Sequence, residues 1–206
     1  MDLLRVTTRT TLRQKIRARR RVLDGVIRRQ AAESLLTIVT ALPCYRSAQH
    51  VAAYVAVEGE LDPELLLRRA HADGKHVYLP LLPRERNAAL GFLPWEPGLR
   101  MQANRLGIPE PSASGHTAIA PRLLDLVLTP LVAFDNCGRR LGMGGGYYDR
   151  TFAFLKTGIT KPLLLGLAYE FQRFDPLYGE SWDVPLAGVV TESHVYFFAE
   201  NPPADP

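Results

Sequence analysis

Apolar residues along this chain fall into blocks whose spacing changes character. Leu12, Ile16, Leu23 and Ile27 recur at four- and seven-residue intervals, the spacing of one helix face. Residues 11–24 and 27–41 therefore read as helices, with Thr10 or Thr11 as cap of the first. The second carries "AAESLLTIVTAL" and stops before Pro43. "HVAAYVAV" (50–57) reads as a buried strand, "LDPELLLRRAHADGK" (61–75) as a helix with Pro63 in its first turn, and "HVYLP" (76–80) as a second strand. Strand, helix and strand in this order predict a parallel pair with a right-handed crossover.

"ALGFLPW" (89–95) is a third candidate strand, and residues 96–121, rich in Pro, Gly and small polar residues, read as one long functional or mobile loop. "LLDLVLTPLVAFD" (123–135) is almost continuously apolar, as a central strand covered on both faces requires. "RRLGMGGGYYDR" follows directly, "YYDRTFAFLK" (147–156) reads as a helix, and "PLLLGLAY" (162–169) and "GVVTESHVYFF" (188–198) as later strands. The sum is a single α/β domain with a mostly parallel or mixed central sheet flanked by helices. Residues 1–8 and 200–206 are expected to be tails.

Composition changes this picture little. The chain is 47% hydrophobic and 22% charged, an ordinary globular balance. No run approaches the roughly 18 apolar residues of a membrane span. Cys44 and Cys137 make no disulfide framework and fit a reducing, cytoplasmic setting. The five histidines form no zinc signature, and His116 and His194 have no evident partner. Charge is more informative. Residues 1–30 hold ten Lys/Arg against two Asp, whereas the rest of the chain holds fifteen basic and nineteen acidic residues. No apolar core precedes these arginines, so a signal peptide does not fit. A transit peptide or a nucleic-acid arm stays open, but the Leu12–Ile27 stripe favours a helix of the folded domain with its arginines turned outward.

The glycine stretch carries the chemistry. Glycines remove the Cβ atoms that would hold a phosphate off the backbone, and a strand–loop–helix junction presents unpaired N–H groups to an anion. Arg139 or Arg140 adds a guanidinium that grips two oxygens, and Asp149 sits one turn in, where a carboxylate can hold Mg²⁺. A Walker loop is absent, because no Lys-Ser/Thr pair follows the glycines. A dinucleotide fingerprint is absent too, because its last position is Tyr147. The plainer alternative is a glycine turn with two core tyrosines.

"LVLTPLVAFDNCGRRLGMGGGYYDR" resembles the signature of the 5-formyltetrahydrofolate cyclo-ligase (5,10-methenyltetrahydrofolate synthetase) family. "RTTLRQKIRARR", "YVAVEGELD", "YLPLL", "NRLGIPEP" and "SWDVPL" follow the family in order, so the likeness spans roughly residues 9–191. It implies a three-layer α/β/α fold of the NagB/RpiA/CoA transferase type. It also implies a monomeric ligase with ATP and Mg²⁺ as cofactors, 5-formyltetrahydrofolate as substrate, and neither nucleic acid nor membrane as partner.

Residue by residue, the resemblance assigns Arg140, Gly142, Met143, Gly144, Gly145, Gly146, Tyr147 and Tyr148 to the nucleotide loop, with Arg140 and both tyrosines catalytic and the tyrosines also touching folate. Asp149 and Asp183 correspond to the Mg²⁺ ligands, and Val55 and Glu60 to folate contacts. Arg9 and Arg13 correspond to the N-terminal phosphate contacts, with Lys15 or Arg17 as the alternative to Arg9, which stands where the family has Lys. Leu106 stands where the family has an aromatic folate contact. Simpler roles compete: a solvated loop acid for Glu60, a turn cap for Asp183, and dipole complementation for Asp149. A polyanion-binding module with a nucleotide sensor, or a sugar-phosphate isomerase or CoA transferase on the same scaffold, are the competing functions.

Overall fold

The computed structural model describes residues 3–112, 115 and 117–198, the first six of them by backbone alone. His116, residues 1–2 and residues 200–206 lie outside the described residues, whereas 3–8, expected to be a tail, are helical. Two helices, α1 (Leu3–Arg21) and α2 (Gly25–Ala41), and a short α3 (Pro43–Ser47) precede the first strand, β1 (His50–Ala52). Then come α4 (Glu64–Ala72), β2 (His76–Leu81), β3 (Gly91–Pro94), β4 (Met101–Ala103), β5 (Pro109–Pro111), β6 (Leu126–Pro130), β7 (Ala133–Phe134) and β8 (Arg140–Leu141). Helix α5 (Tyr147–Phe152), β9 (Leu163–Leu167), β10 (Gly188–Val190) and β11 (Val195–Phe197) close the chain.

Seven strands form one sheet in the order β11-β10-β9-β6-β1-β2-β3. β10, β9, β6, β1 and β2 run parallel, while β11 and β3 pair antiparallel at the two edges. The β1–α4–β2 unit is the expected parallel pair, in register Val51 with Val77. Alternate residues of the central strands enter different cores, as period-two geometry dictates. Val51, Leu126, Leu128, Leu165 and Val190 pack with Leu35 and Val39 of α2 and Leu66 of α4. Ala52, Val127, Leu164 and Val189 face the other way, onto Phe92 and Phe152. Both faces are thus covered, and the near-continuous apolar sequence of β6 follows from that.

Several elements are shorter than their sequence suggests. The apolar run 50–57 leaves the sheet after Ala53, whose N–H donates to the Tyr78 carbonyl. Residues 53–57 are buried or half-buried as a loop, because Glu58 (φ 50°) and Gly59 (φ 73°) turn the chain left-handed. The run 123–135 is also two pieces. Leu131 and Val132 depart from the sheet, and β7 pairs with β8 in a separate hairpin, so the glycine loop hangs from that hairpin and not from the central strand. The run 188–198 folds into the β10–β11 pair around Thr191, whose hydroxyl accepts from the Ser193 and His194 backbone. Residues 96–121 are not one loop. They contain the β4–β5 hairpin, turned by Asn104, whose side-chain oxygen accepts from Leu106 N and Ile108 N.

The N-terminal helix begins at Leu3, so Thr10 and Thr11 lie inside it and cap nothing; Asp24 caps α2 instead, accepting from Val26 N at 2.7 Å. Leu12 and Ile16 dock as expected, on Val132, Ala133, Leu141 and Leu177. Ile27 does not dock. It is exposed at the α1–α2 junction, because the chain turns there and the stripe does not continue across two helices. Cys44 and Cys137 are unpaired. His194 does have a partner, Glu170, at 3.3 Å.

Candidate active site

β1 and β6 are parallel neighbours from which the chain departs to opposite sides, through α4 to β2 from one and on to β9 from the other. This is the topological switch of the sheet, where segments leaving the strand ends diverge and open a crevice. The segment after β1 carries Val55 and Glu60. The segment after β6 leads into the β7–β8 hairpin and the glycine loop. Two stretches 80 residues apart in the chain therefore share one end of the sheet because of strand order alone.

Helix α1 lies across this end, and only part of its arginines turn outward as the sequence suggested: Arg19 and Arg21 are exposed. Arg9, Arg13, Arg17 and Arg20, spaced four, four and three, occupy one face and meet the loops in turn. Arg9 contacts Glu180 at 3.2 Å and Asp183 at 4.0 Å. Arg13 Nε donates to the Gly142 carbonyl at 2.8 Å. Arg17 makes a two-pronged bond to Glu58, at 2.7 and 2.6 Å. Arg20, fully buried, reaches Glu60 Oε1 at 3.5 Å and the Leu131 carbonyl at 3.3 Å. Lys15 is exposed on the other side of the helix, so of the two alternatives to Arg9 one faces solvent and the other is engaged by Glu58.

The glycine loop is open where a ligand would approach. A Cβ on Gly142 would meet nothing within 4 Å. Gly144 (φ 102°) and Gly146 (φ 61°) need left-handed backbone, and a Cβ on Gly145 would strike the Tyr147 ring at 2.8 Å. Met143 is exposed at the loop tip. Helix α5 is only six residues long, so the loop's own N–H groups and the nearby guanidiniums, more than a helix dipole, make the anion environment.

Arg140 is buried and points away from the loop tip. One nitrogen donates to the Val184 carbonyl and the other to Asp149 Oδ1 at 2.5 Å, an oxygen that also accepts from Val184 N at 3.1 Å. Asp183 Oδ2 accepts from Glu180 N at 2.9 Å, closing the turn that was the simpler reading of this residue. The two carboxylates feel each other: burial, and next the charge of Asp149, raise the pKa of Asp183, against the Glu180 N–H bond. Likewise burial and Arg9 lower the pKa of Arg13, with Asp183 opposing. A pair of carboxylates held close beside a pair of guanidiniums suits a divalent cation together with an anion. Two carboxylates plus phosphate oxygens form a reasonable Mg²⁺ shell, so the donor set fits the metal. Among the described residues no group of three or more His, Cys, Asp or Glu forms an all-protein metal cage.

The two tyrosines diverge. Tyr147 O–H accepts from Arg105 Nη2 at 2.9 Å, and Arg150 stacks 4.9 Å from its ring centroid. Tyr148 is half-buried on Phe152, and burial, then the charge of Glu60, push its phenol well above the usual range. The Tyr148 hydroxyl therefore lies in the electrostatic reach of Glu60, which connects α5 to the loop after β1. Glu60 is 7% exposed, and its Oε2 accepts from Val57 N at 3.1 Å. Burial raises the Glu60 pKa, with Arg20 as the main opposing charge. It is not a solvated loop acid. Leu106 sits 57% exposed on the turn of the β4–β5 hairpin, next to Arg105. Arg105 and Arg20 went unsingled in the sequence. The helical phase of Arg9 and Arg13 pointed at Arg20, whereas nothing in "NRLGIPEP" sets Arg105 apart.

The fold defines the class: a single α/β domain built on a mostly parallel seven-stranded sheet flanked by helices. Comparison with known proteins narrows it. The family model for 5-formyltetrahydrofolate cyclo-ligases matches residues 5–192. The 5-formyltetrahydrofolate cyclo-ligase of Escherichia coli K12 is 39% identical over 181 residues, covering 88% of this chain and 98% of that enzyme. The same-named Haemophilus influenzae protein is 37% identical over 182 residues, covering 88% and 96%. The solved structure of Aquifex aeolicus 5,10-methenyltetrahydrofolate synthetase superposes with a TM-score of 0.78 at 29% identity, covering 96% of each chain. The chain belongs to the 5-formyltetrahydrofolate cyclo-ligase family, ligases whose reaction is an ATP-dependent cyclisation. No helix among the described residues is long and apolar enough to cross a membrane.

Proposed function

We propose that this chain closes the ring of 5-formyltetrahydrofolate to 5,10-methenyltetrahydrofolate with MgATP, using the crevice between the loops that follow β1 and β6. The observation that carries this reading is the convergence there of Glu60, the glycine loop, Asp149, Asp183 and the arginine face of α1.

The chemical problem is that a formamide carbonyl is a poor electrophile and its oxygen a poor leaving group. Transfer of the γ-phosphoryl group to the formyl oxygen releases ADP and solves both. N10 then attacks the formyl carbon, the bond from that carbon to the phosphorylated oxygen breaks, phosphate leaves, and the N10 proton is lost. The protein's part is positioning and charge stabilisation.

In this reading Arg9 and Arg13 face the nucleotide phosphates, and the N–H groups of Gly142, Met143, Gly144, Gly145 and Gly146 cradle them. Asp149 and Asp183 would hold Mg²⁺, which would neutralise phosphate charge there. Arg140 acts through Asp149, whose carboxylate it fixes. Glu60 accepts from the donor edge of the pterin, with Val55 and Tyr148 beside it. Tyr147, Arg105 and Leu106 make the far wall. The test is direct: full-length protein with 5-formyltetrahydrofolate, Mg²⁺ and ATP is expected to develop methenyl-folate absorbance in the near ultraviolet. A folded preparation that shows none, and forms no ADP, overturns the assignment.

A further inference from the structure

Arg20 is a charged side chain at 0% exposure, yet its Nε and one terminal nitrogen have no hydrogen-bond partner among the described residues. A buried guanidinium is costly to keep and is retained where its charge answers another. Here that charge is Glu60, which is itself buried.

The placement is specific. A single Arg20 nitrogen, Nη1, serves both sides of the switch crevice: it donates to the Leu131 carbonyl, just past β6, and lies 3.5 Å from Glu60 Oε1, in the loop after β1. The same loop is fastened to α1 at two further points. Glu58 accepts from Arg17 and Arg21, and a Cβ on Gly59 would lie 2.5 Å from the Arg20 carbonyl oxygen, so the two backbones touch. Glu60 also bonds back to Val57 N, so the 57–60 turn moves as a unit. The helix that seats this turn is the one that carries Arg13 to the glycine loop and Arg9 to Glu180 and Asp183.

We infer that Arg20 is a positioning residue for the folate side of the reaction, holding Glu60 at the crevice and setting the loop after β1 in register with the arginines of the nucleotide side. This rests on the reading of Glu60 as a folate contact. Arg20 touches no reacting atom. Its Nη1 holds Glu60 Oε1 at 3.5 Å by charge, a grip to which Nε and Nη2 add no hydrogen bond among the described residues. A methionine in its place fills the space and abolishes that grip.

Steady-state kinetics on full-length Arg20→Met, Arg20→Lys, Glu60→Gln and the Arg20→Met/Glu60→Gln double variant test this. Arg20→Met and Glu60→Gln are each expected to raise the folate KM about tenfold or more and to leave the ATP KM unchanged. The double variant is expected to be no worse than the worse single one, since both remove one interaction. Arg20→Lys, which keeps the charge, is expected to recover part of the loss. If Arg20→Met folds poorly, Arg20→Met/Glu60→Met replaces the pair by apolar volume, and is expected to regain thermal stability while the folate KM stays raised. An unchanged folate KM in Arg20→Met, additive effects in the double variant, or an ATP KM raised as much as the folate KM overturns the inference. Glu60→Gln without effect overturns the placement of folate at Glu60 itself, which separates the two failures.

Discussion

Arg140 and Asp149 are joined across the glycine loop by a 2.5 Å ion pair, and the same Asp149 oxygen takes the Val184 N–H. The pair ties the loop to the segment carrying Asp183 and uses one Asp149 oxygen, Oδ1, for both contacts. Asp149→Asn keeps the shape and removes the charge. It keeps an acceptor for Arg140, so it is expected to fold with some loss of melting temperature, and to lower turnover by about three orders of magnitude, the scale of losing a metal's charge stabilisation. Arg140→Ala is expected to act differently. It strands the Val184 carbonyl and the Asp149 carboxylate in a mostly buried place, at about 3 kcal/mol of stability. Thermal melts beside MgATP titrations separate the two variants.

The glycines do not all serve one purpose. Gly144 and Gly146 are required by their backbone angles, and Gly145 by the Tyr147 ring. Gly142 has an open Cβ direction and no left-handed angle. Gly142→Ala is therefore expected to leave the melting temperature unchanged and to raise the ATP KM about tenfold, because only a ligand meets the added methyl. Gly144→Ala is expected to lose stability even without nucleotide, by about 1 kcal/mol or more.

Glu58 and Glu60, two residues apart, titrate in opposite directions. Hydrogen bonds from Arg17, with those from Arg21 behind them, draw Glu58 down to about 2, whereas burial raises Glu60 against the charge of Arg20. A lowered carboxylate pKa adds stability above the ordinary value of 4.5, and that stability is lost as pH falls toward 2. Glu58→Gln is expected to flatten the acid limb of the melting-temperature profile in that window. Glu60 takes up its proton at a higher pH than an ordinary glutamate. The folate KM is therefore expected to climb on mild acidification, above pH 4.5, and Glu58→Gln is expected to leave that climb in place. A folate KM flat down to pH 4.5 contradicts the acceptor role of Glu60.

Much of the frame was legible because period and length are local. The β1–α4–β2 unit, the buried strands and the glycine loop follow from apolar spacing and from glycine chemistry. The failures have physical causes. Residues 53–57 are apolar enough for a strand, but Glu58 and Gly59 turn the chain away, and burial without a ladder looks the same in sequence. The β4–β5 strands are three residues each, too short to show a period, and are held by Asn104 and by Glu110 accepting from Leu82 N. Composition alone cannot tell which arginine of "RARRR" turns inward. Only the helical phase set by Arg9 and Arg13 selects Arg20 for the crevice.

Leu106 offers the last test, because it sits exposed on the hairpin turn whose Arg105 holds the Tyr147 hydroxyl. An aliphatic side chain there gives a flat heterocycle less contact than a ring would. Leu106→Trp keeps the backbone bond from residue 106 to Asn104 and adds an aromatic face. If this hairpin forms the far wall of the folate site, the folate KM is expected to fall about two- to tenfold, the range of an aromatic pair beyond its area. The ATP KM is expected to stay put. Arg105→Met is expected to move the folate KM the other way, because it frees the hairpin from Tyr147. Equal shifts in both constants would instead place the hairpin against the nucleotide.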